Sequence, residues 1–344
     1  MKVAEKKAIV LLTALTIALA EAFAVLYIVL VQYNELHTCY EELKWRVSKL
    51  EENRASMVYA TVKASVVTVK ALKVDGSSAQ GSGFVYDFNG SIVTSFHVVA
   101  NTSSIMVTRS GMTPAKAKLL GGDLYTDLAV VKVEGVSLQP LSMGNSSTLK
   151  VGETVYSVGS PYGLDSTLSV GVVTARERLI RLADLGISLP RGAYTVADLI
   201  QFDAAVAPGS SGSPLLNGKG EVVGVVFAMK GSGVAFAVSA DVARRVAEGI
   251  IQNGRYDHPW LGIGYDPEYV GGVKITYVYA DSPADRTGLK AGDILRAVDG
   301  CQVSSAKDFI TYLEKFRSPG DVIRLTVERD KLIHIMQLQL GVRP

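Results

Sequence analysis

The sequence contains little cysteine and little histidine, and it has no excess of either charge. Its 344 residues include two cysteines, Cys39 and Cys301, which lie in separate segments and do not make a disulfide framework. The 35 basic and 33 acidic residues give a net charge of +2, without long runs of either sign. That balance argues against the basic patch of a nucleic-acid-binding protein, so no nucleic-acid partner is expected.

Of the four histidines, only one lies where a catalytic base is expected. Three of them fall in a predicted stalk, a linker and a C-terminal strand: His37, His258 and His334. The fourth, His97, follows the hydrophobic run 91–96, and Asp127 opens another such run. Ser211 lies in the sequence Gly-Ser-Ser-Gly-Ser-Pro at 209–214. The order His, Asp, Ser is that of chymotrypsin-like proteases, and it differs from the orders of subtilisins and α/β-hydrolases.

These residue types suit the chemistry of acyl transfer. A serine hydroxyl becomes a good nucleophile when a positioned base removes its proton, and His97 is the candidate base for Ser211. Asp127 would hold the tautomer of His97 and stabilise its imidazolium. Gly209 has no Cβ and can turn its N–H toward a substrate carbonyl. The N–H groups of Gly209 and Ser211 would form an oxyanion hole, in which each donor contributes about 3–4 kcal/mol.

Each of these residues also has a simpler explanation. Gly-Ser hexamers are common loops, Asp127 fits the start of a strand, and His97 fits a core histidine. Taken singly, His97 and Asp127 are better explained that way. Three motifs in this order, each at the edge of a predicted strand, make a catalytic site the better interpretation.

Several stretches resemble the HtrA/Deg serine proteases, in which a trypsin-like protease domain precedes a PDZ domain. The matching segments are residues 81–84, 92–99, 127–131, 159–163, 201–217, 220–224 and 234–238. The resemblance implies a mainly β fold, with a chymotrypsin/trypsin-like double β-barrel followed by an α+β PDZ domain. It places the catalytic triad on His97, Asp127 and Ser211, and the oxyanion hole on Gly209 and Ser211. Two residues depart from the family, which usually has Asn at Ser210 and Gly at Ser213.

Apolar residues occupy the positions that would set substrate preference. Lys/Arg-specific trypsin-like enzymes carry an aspartate six residues before the nucleophile, and this chain has Ala205 there. With Val206 and Phe227 it would form an apolar S1 pocket for small or medium aliphatic side chains. Residues 176–199 are predicted to be a long connection of mixed character, at the position of the family's regulatory sensor loop. The resemblance also implies a homotrimer built through the protease domains.

The N-terminal region is predicted to hold a membrane anchor and a stalk. Residues 8–31 are apolar apart from Thr13, Thr16 and Glu21, which is long enough for one membrane span. Lysines at 2, 6 and 7 place the N-terminus in the cytoplasm and the rest of the chain outside. A cleaved signal peptide is the alternative, disfavoured because residues 22–31 continue apolar. Residues 32–57 carry about two apolar heptads, typical of a short coiled coil or of a single amphipathic helix.

The C-terminal part resembles a PDZ domain. Matching segments are residues 260–263, 281–284, 288–295 and 298–300, and a helix capped by Ser305 is predicted over 306–316. A PDZ domain adds a peptide as a strand and binds its terminal carboxylate through backbone N–H groups. Those donors are expected in the loop made of Trp260, Leu261, Gly262 and Ile263. Trp260 alone would also fit a packed aromatic at the domain boundary.

These predictions define four segments: residues 1–31, the cytoplasmic N-terminus and anchor; 32–57, the stalk; 58–252, the protease domain; and 258–344, the PDZ domain. The function they predict is that of a single-pass, membrane-anchored, extracytoplasmic serine endopeptidase. Its expected substrates are unfolded or misfolded polypeptides, and its PDZ domain would bind peptide C-termini. We expect no metal and no cofactor. The alternative is a weakly active, chaperone-like or peptide-binding scaffold with a protease fold. A digestive trypsin-like protease is disfavoured by the anchor and the PDZ domain.

Overall fold

One long helix precedes two closed β-barrels and a smaller, PDZ-type sheet. The computed structural model describes residues 2–109, 111–181, 184, 195–229 and 233–344. The chain divides into two units, Met1–Ser56 and Met57–Pro344.

The first unit is almost entirely helix α1, Lys2–Glu52, whose 51 residues would extend about 77 Å at 1.5 Å per residue. Its span Lys6–Val47 includes a window of mean hydropathy 2.4, so this helix is long and apolar enough to cross a membrane. Apolar side chains such as Leu15, Phe23 and Leu30 are exposed on it. The apolar segment and most of the predicted stalk, residues 32–52, therefore belong to one continuous helix, and the last residues of the predicted stalk belong to the next helix, Arg54–Val62.

The second unit begins within helix α2, Arg54–Val62, which buries Val58 and Val62. The first barrel follows, and its strands are β1 Val66–Lys73, β2 Ser78–Val85, β3 Ser91–Ser95, β4 Thr102–Thr108, β5 Ala115–Asp123 and β6 Leu128–Val133. They close in the order β1-β2-β3-β6-β5-β4. Branched side chains such as Val69, Ile92 and Val131 fill its interior, as β-branched residues do in strands.

The second barrel consists of β7 Thr154–Gly159, β8 Thr167–Arg181, β9 Thr195–Phe202, β10 Pro214–Leu216, β11 Val222–Met229 and β12 Ala235–Ser239. These strands close in the order β10-β11-β12-β9-β8-β7. Val155, Phe202 and Leu215 lie in its core. A 3₁₀ turn, Lys63–Ser65, joins α2 to β1, and the short helices between barrel strands are α3 Phe96–Val99 and the 3₁₀ turns Ser146–Thr148 and Pro161–Gly163. The predicted double β-barrel is confirmed.

The prediction that residues 176–199 form one long connection is wrong, because strands occupy both ends of this segment. Strand β8 continues to Arg181, and β9 begins at Thr195 and pairs back onto it. Three register shifts interrupt this pair, so the side chains do not alternate strictly between apolar and polar, and the strand signal is lost in the sequence. The rest of the predicted sensor loop, residues 182–194 apart from Asp184, lies outside the described residues.

Helix α4, Ala240–Asn253, leads from the second barrel to the PDZ domain. The elements of that domain are β13 Pro259–Trp260, β14 Ile263–Tyr265, β15 Val273–Val278, α5 Pro283–Thr287, β16 Ile294–Val298, β17 Cys301–Gln302, α6 Ala306–Phe316, β18 Val322–Arg329, β19 Leu332–Gln339 and β20 Gly341–Val342. The main sheet has the order β14-β15-β16-β18-β19, with β17 paired to β16. Helix α6 begins where predicted, and the Ser305 hydroxyl accepts the Asp308 N–H at 3.3 Å.

Candidate active site

His97 and Asp127 make two hydrogen bonds with each other. His97 lies on α3, directly after β3, and Asp127 lies in the turn between β5 and β6. The Nδ1 atom of His97 is 2.5 Å from Oδ2 of Asp127, and the backbone N–H of His97 donates to Oδ1 at 2.7 Å. The Asp127 side chain is 14% exposed, whereas that of His97 is 54% exposed. The carboxylate of Asp127 is therefore largely buried beside Nδ1 of His97, while much of the imidazole remains accessible to solvent.

Local backbone structure explains how Asp127 reaches this position. Its φ of +56° is left-handed, which Asp tolerates better than most residues. Its carbonyl accepts the Phe96 N–H at 2.6 Å. The preceding turn is organised by Asp123, whose carboxylate accepts the N–H groups of Tyr125 and Thr126 at 3.2 and 3.0 Å. Hydrogen bonds in the turn before Asp127 and at its own carbonyl thus hold the backbone from which its carboxylate extends.

Ser211 lies in a tight turn that begins at Gly209. Gly209 has φ +99°, and a Cβ there would come within 2.5 Å of the Ser160 carbonyl oxygen, so a side chain does not fit. The Gly209 carbonyl accepts a hydrogen bond from the Ser82 hydroxyl at 2.7 Å, and the Ser211 carbonyl accepts the Ser82 N–H at 2.9 Å. Within the described residues, the N–H groups of Gly209 and Ser211 have no acceptor in the protein. Two donors are left available beside Ser211.

The two positions that depart from the family differ in their environment. The Ser210 hydroxyl accepts the Ala207 N–H at 3.2 Å and so helps to hold the turn. Ser213 is fully buried, and its hydroxyl has no hydrogen-bond partner in the described part of the chain. Its Oγ occupies the space where a Cβ on Gly159 would lie.

The three predicted S1 residues do not line one described cavity. Ala205 is exposed, and Val206 packs against the core of the second barrel. Phe227 is buried at a bulge in β11, and it lines a cleft of about 900 Å³ together with His97 and Asp127. Other walls of this cleft are Lys73, Phe96 and Leu124. The S1 assignment of Ala205, Val206 and Phe227 stays a prediction.

The predicted peptide-binding loop borders a second cavity, of about 610 Å³. Trp260, Leu261, Gly262 and Ile263 all line it, and Phe309, Ile310 and Leu313 of α6 form another wall. Thr195, at the start of β9, also lines this cavity, and its hydroxyl lies 3.2 Å from that of Tyr265. The cavity is therefore bordered by the protease domain as well as by the PDZ domain.

The sequence analysis missed the role of His258. Its side chain is 1% exposed, with Nε2 3.0 Å from Oδ2 of Asp123 and Nδ1 2.8 Å from Oε2 of Glu314. Arg343 donates to the other oxygen of Glu314 at 2.8 Å. Burial opposes the charge on the imidazole, but the carboxylates of Asp123 and Glu314 outweigh it and raise the pKa of His258 to about 9. Because these groups are distant in sequence, no local motif signals them.

The next residue of α6 makes a second buried ion pair with the other barrel. Lys315 Nζ lies 3.0 Å from Oδ1 of Asp198, and the Ser239 hydroxyl donates to Oδ2 at 2.5 Å. Both charged side chains are less than a tenth exposed. Burial raises the pKa of Asp198 more than Lys315 and Ser239 lower it. Of two consecutive residues of this PDZ helix, Lys315 thus contacts the second barrel directly, and Glu314 is linked to the first barrel through His258.

Comparisons with known proteins agree with this architecture. Residues 81–225 match the trypsin-like peptidase domain family, and residues 249–340 match the PDZ domain family. A probable periplasmic serine endoprotease DegP-like of Ectopseudomonas mendocina is 34% identical over 280 residues, covering 77% of this chain and 56% of that protein. Protease Do-like 1, chloroplastic, of Arabidopsis thaliana is 33% identical over 310 residues, covering 82% of this chain and 68% of that protein.

A solved structure of the HtrA-type protease AlgW with a tripeptide superimposes with a TM-score of 0.72, at 27% identity, covering 84% of this chain and 97% of that one. The fold and the site define a trypsin-like serine protease domain joined to a PDZ domain. The chain belongs to the HtrA/Deg family of serine proteases. It spans little more than half the length of several of the curated relatives it matches.

Proposed function

We propose that this chain is a serine endopeptidase in which Ser211 attacks a peptide carbonyl and His97 accepts the serine proton. Asp127 keeps the Nδ1 proton of His97 in place and stabilises the imidazolium formed during attack. The N–H groups of Gly209 and Ser211 bind the developing oxyanion. His97 then gives this proton to the leaving amine as the peptide C–N bond breaks and the acyl-enzyme forms. In the second half, His97 takes a proton from an attacking water molecule and returns it to the Ser211 oxygen as the ester bond breaks.

The observation that carries this proposal is the double contact between His97 and Asp127. A carboxylate on Nδ1 leaves Nε2 as the basic nitrogen on the accessible edge of the ring, which is the arrangement general-base catalysis needs. The two unpaired N–H groups beside Ser211 add the electrostatic part of the site. The relatives are named as proteases, among them a serine endoprotease, and this supports the same reaction.

The experiment is a comparison of Ser211→Ala and His97→Ala with wild-type protein in peptidase assays. Each substitution should lower kcat by a factor of roughly 10⁶, as removal of a triad member does in a comparable enzyme. Ser210→Ala is the matched control, because its hydroxyl bonds only to the turn, and it should retain most activity. A fluorophosphonate probe should label wild-type protein and not Ser211→Ala. Substantial activity in folded Ser211→Ala protein would refute the assignment.

The substrates we propose are unfolded or misfolded polypeptides, and the PDZ cavity would bind a peptide C-terminus. The Trp260–Ile263 loop and helix α6 border a cavity suited to an apolar side chain, and AlgW has been solved with a tripeptide and with a decapeptide. Binding of a peptide ending in a hydrophobic residue should be measurable by fluorescence anisotropy. The same peptide with an amidated C-terminus is the control. The peptidase rate with and without the peptide tests whether binding also activates.

We also propose that the protein is a single-pass membrane protein with a cytoplasmic N-terminus and an extracytoplasmic protease, and that it acts as a homotrimer. Helix α1 and the lysines at its N-terminal end support the anchor, and the periplasmic relatives support the side of the membrane. The mass of residues 57–344 in solution tests assembly. A folded protein that binds peptide but is not labelled by the fluorophosphonate would instead support the scaffold alternative.

A further inference from the structure

The side chain of Lys73 ends against the short helix that carries His97. Its ammonium donates to three backbone carbonyls, those of His97 at 2.8 Å, Val98 at 3.0 Å and Ala100 at 2.7 Å. A lysine ammonium has three protons, so all of its donors are used on this one turn. The ammonium of Lys73 is therefore bound to the protein backbone, although the residue also lines the cleft that contains His97.

The local fold explains why a cation is placed there. Helix α3 has four residues, and the carbonyls of its last turn lack partners within the helix apart from Phe96, which accepts the Ala100 N–H. A cation at this end is favourable, because the exposed carbonyls carry partial negative charge. Strand β1 shifts register against β4 between Leu72 and Lys73, and such a bulge redirects the side chains near it.

Lys73 provides the second of two hydrogen bonds that hold the backbone of His97 in place. The N–H of His97 is held by Asp127 Oδ1 at 2.7 Å, and its carbonyl is held by Lys73 Nζ at 2.8 Å. The two peptide groups that flank the Cα of His97 are thus tied to two different elements, the β5–β6 turn and strand β1. Rotation about the backbone bonds of His97 would move its imidazole away from Asp127, so both hydrogen bonds restrict that motion.

We propose that Lys73 is a positioning residue for catalysis, which fixes the backbone of His97 so that the imidazole meets Ser211. This inference rests on the proposed role of His97 as the base. All three ammonium donors of Lys73 are used on backbone carbonyls, so we expect its removal to change the geometry of the base and to leave substrate binding close to that of the wild type. Small displacements of a catalytic group are costly, since a shift of about 1 Å can lower a rate roughly 100-fold.

The test is Lys73→Met in the full-length protein, since methionine keeps an apolar stem of similar length and removes the charge and all three donors. We expect kcat to fall roughly 10- to 100-fold, with KM within about twofold of wild type. Lys70→Met is the matched control on the same strand, with an exposed side chain, and should leave both constants unchanged. Lys73→Arg keeps the charge but spreads its donors over a planar fork in place of one converging ammonium, so we expect an intermediate kcat.

Four results would overturn the inference. These are a kcat for Lys73→Met within twofold of wild type, a rise in KM at constant kcat, a loss of kcat matched by an equal loss of folded protein, and a wild-type kcat in Lys73→Arg. The arginine variant decides the question if Lys73→Met does not fold. Fluorophosphonate labelling distinguishes a wrong catalytic assignment from a wrong role for Lys73. An unlabelled wild-type protein would refute the catalytic assignment itself, whereas a labelled wild type with fully active Lys73→Met refutes only the role of Lys73.

Discussion

The imidazole of His258 and the carboxylate of Glu314 lie 2.8 Å apart in the interior of the protein, and Asp123 occupies the opposite ring nitrogen at 3.0 Å. Glu314 belongs to the PDZ helix α6, and Asp123 ends strand β5, directly before the turn that leads to Asp127. One buried imidazolium therefore connects the PDZ domain with the part of the first barrel that orients the proposed catalytic aspartate.

Stability should decline toward alkaline pH because of His258. Its pKa is raised to about 9 from an ordinary value near 6.5, so its contribution is fully present below pH 6.5 and is lost as the pH rises through 9. A shift of this size corresponds to about 3 kcal/mol of unfolding free energy. Denaturant unfolding of residues 57–344 from pH 6 to 10 would measure it.

His258→Gln should flatten this alkaline decline, and a decline of the same size in that variant would contradict the assignment.

The contributions of Asp123 and Glu314 to stability have the opposite pH dependence, because they are lost toward acidic pH. Burial opposes ionisation of both carboxyls, but the charge of His258, its hydrogen bonds and the neighbouring donors together outweigh burial and lower the pKa of each. Their contributions are present above their ordinary pKa values and are lost as the pH falls through the lowered ones.

The Lys315–Asp198 pair should behave as a buried ion pair. Lys315→Met leaves the Asp198 carboxylate buried without its cation, which typically costs about 3–5 kcal/mol. The double variant Lys315→Met, Asp198→Asn should recover much of that loss, since no isolated charge remains. Lys307→Met is the control on the same helix, because its exposed pair with Glu177 contributes little. Equal unfolding free energies for both lysine variants would contradict this prediction.

The sequence predicted the barrels, the capped helix α6 and the pairing of His97 with Asp127, because each depends on a local pattern or on a motif of the family. It did not predict Lys73 or His258, whose partners are brought near by the closure of the barrel and by the docking of the PDZ domain. Lys73 stands in a strand of ordinary composition, and His258 stands in what resembles a linker. Their contacts follow from tertiary packing, and no spacing in the sequence encodes them. The part of strand β8 from Arg176 to Arg181 was predicted to be a connection, because its bulges remove the two-residue period.

The N-terminal helix should anchor the protein in a membrane. Full-length protein should stay in the membrane fraction after an alkaline wash, because helix α1 exposes apolar side chains along a span longer than a bilayer. A variant lacking residues 1–31 should be released as a soluble protein, which serves as the control. A mature soluble protein whose N-terminus begins near Glu21 would instead support cleavage of a signal peptide.

Removing the Ser213 hydroxyl should not harm the protein. Its Oγ is buried and has no partner among the described residues, so Ser213→Ala removes an unsatisfied polar group while keeping the Cβ. An unpaired buried polar group costs about 1–3 kcal/mol, and we expect a gain of about 1 kcal/mol in unfolding free energy with kcat within twofold. Ser210→Ala is the contrast, because its hydroxyl accepts a turn hydrogen bond. Destabilisation by Ser213→Ala would show that the hydroxyl has a partner after all.

Cleavage should follow small or medium aliphatic residues such as Val, Ala or Ile. Ala205 lies six residues before Ser211, where Lys/Arg-specific enzymes of this fold have an aspartate, and Val206 beside it is apolar. Asp203 does not supply that charge, because its Oδ1 accepts the Val172 N–H at 2.6 Å. Mass-spectrometric mapping of cut sites in an unfolded protein measures the preference, and Ala205→Asp should shift it toward Lys and Arg. Cuts mainly after Lys and Arg in the wild type would contradict the apolar pocket, since a buried cationic side chain needs a carboxylate partner.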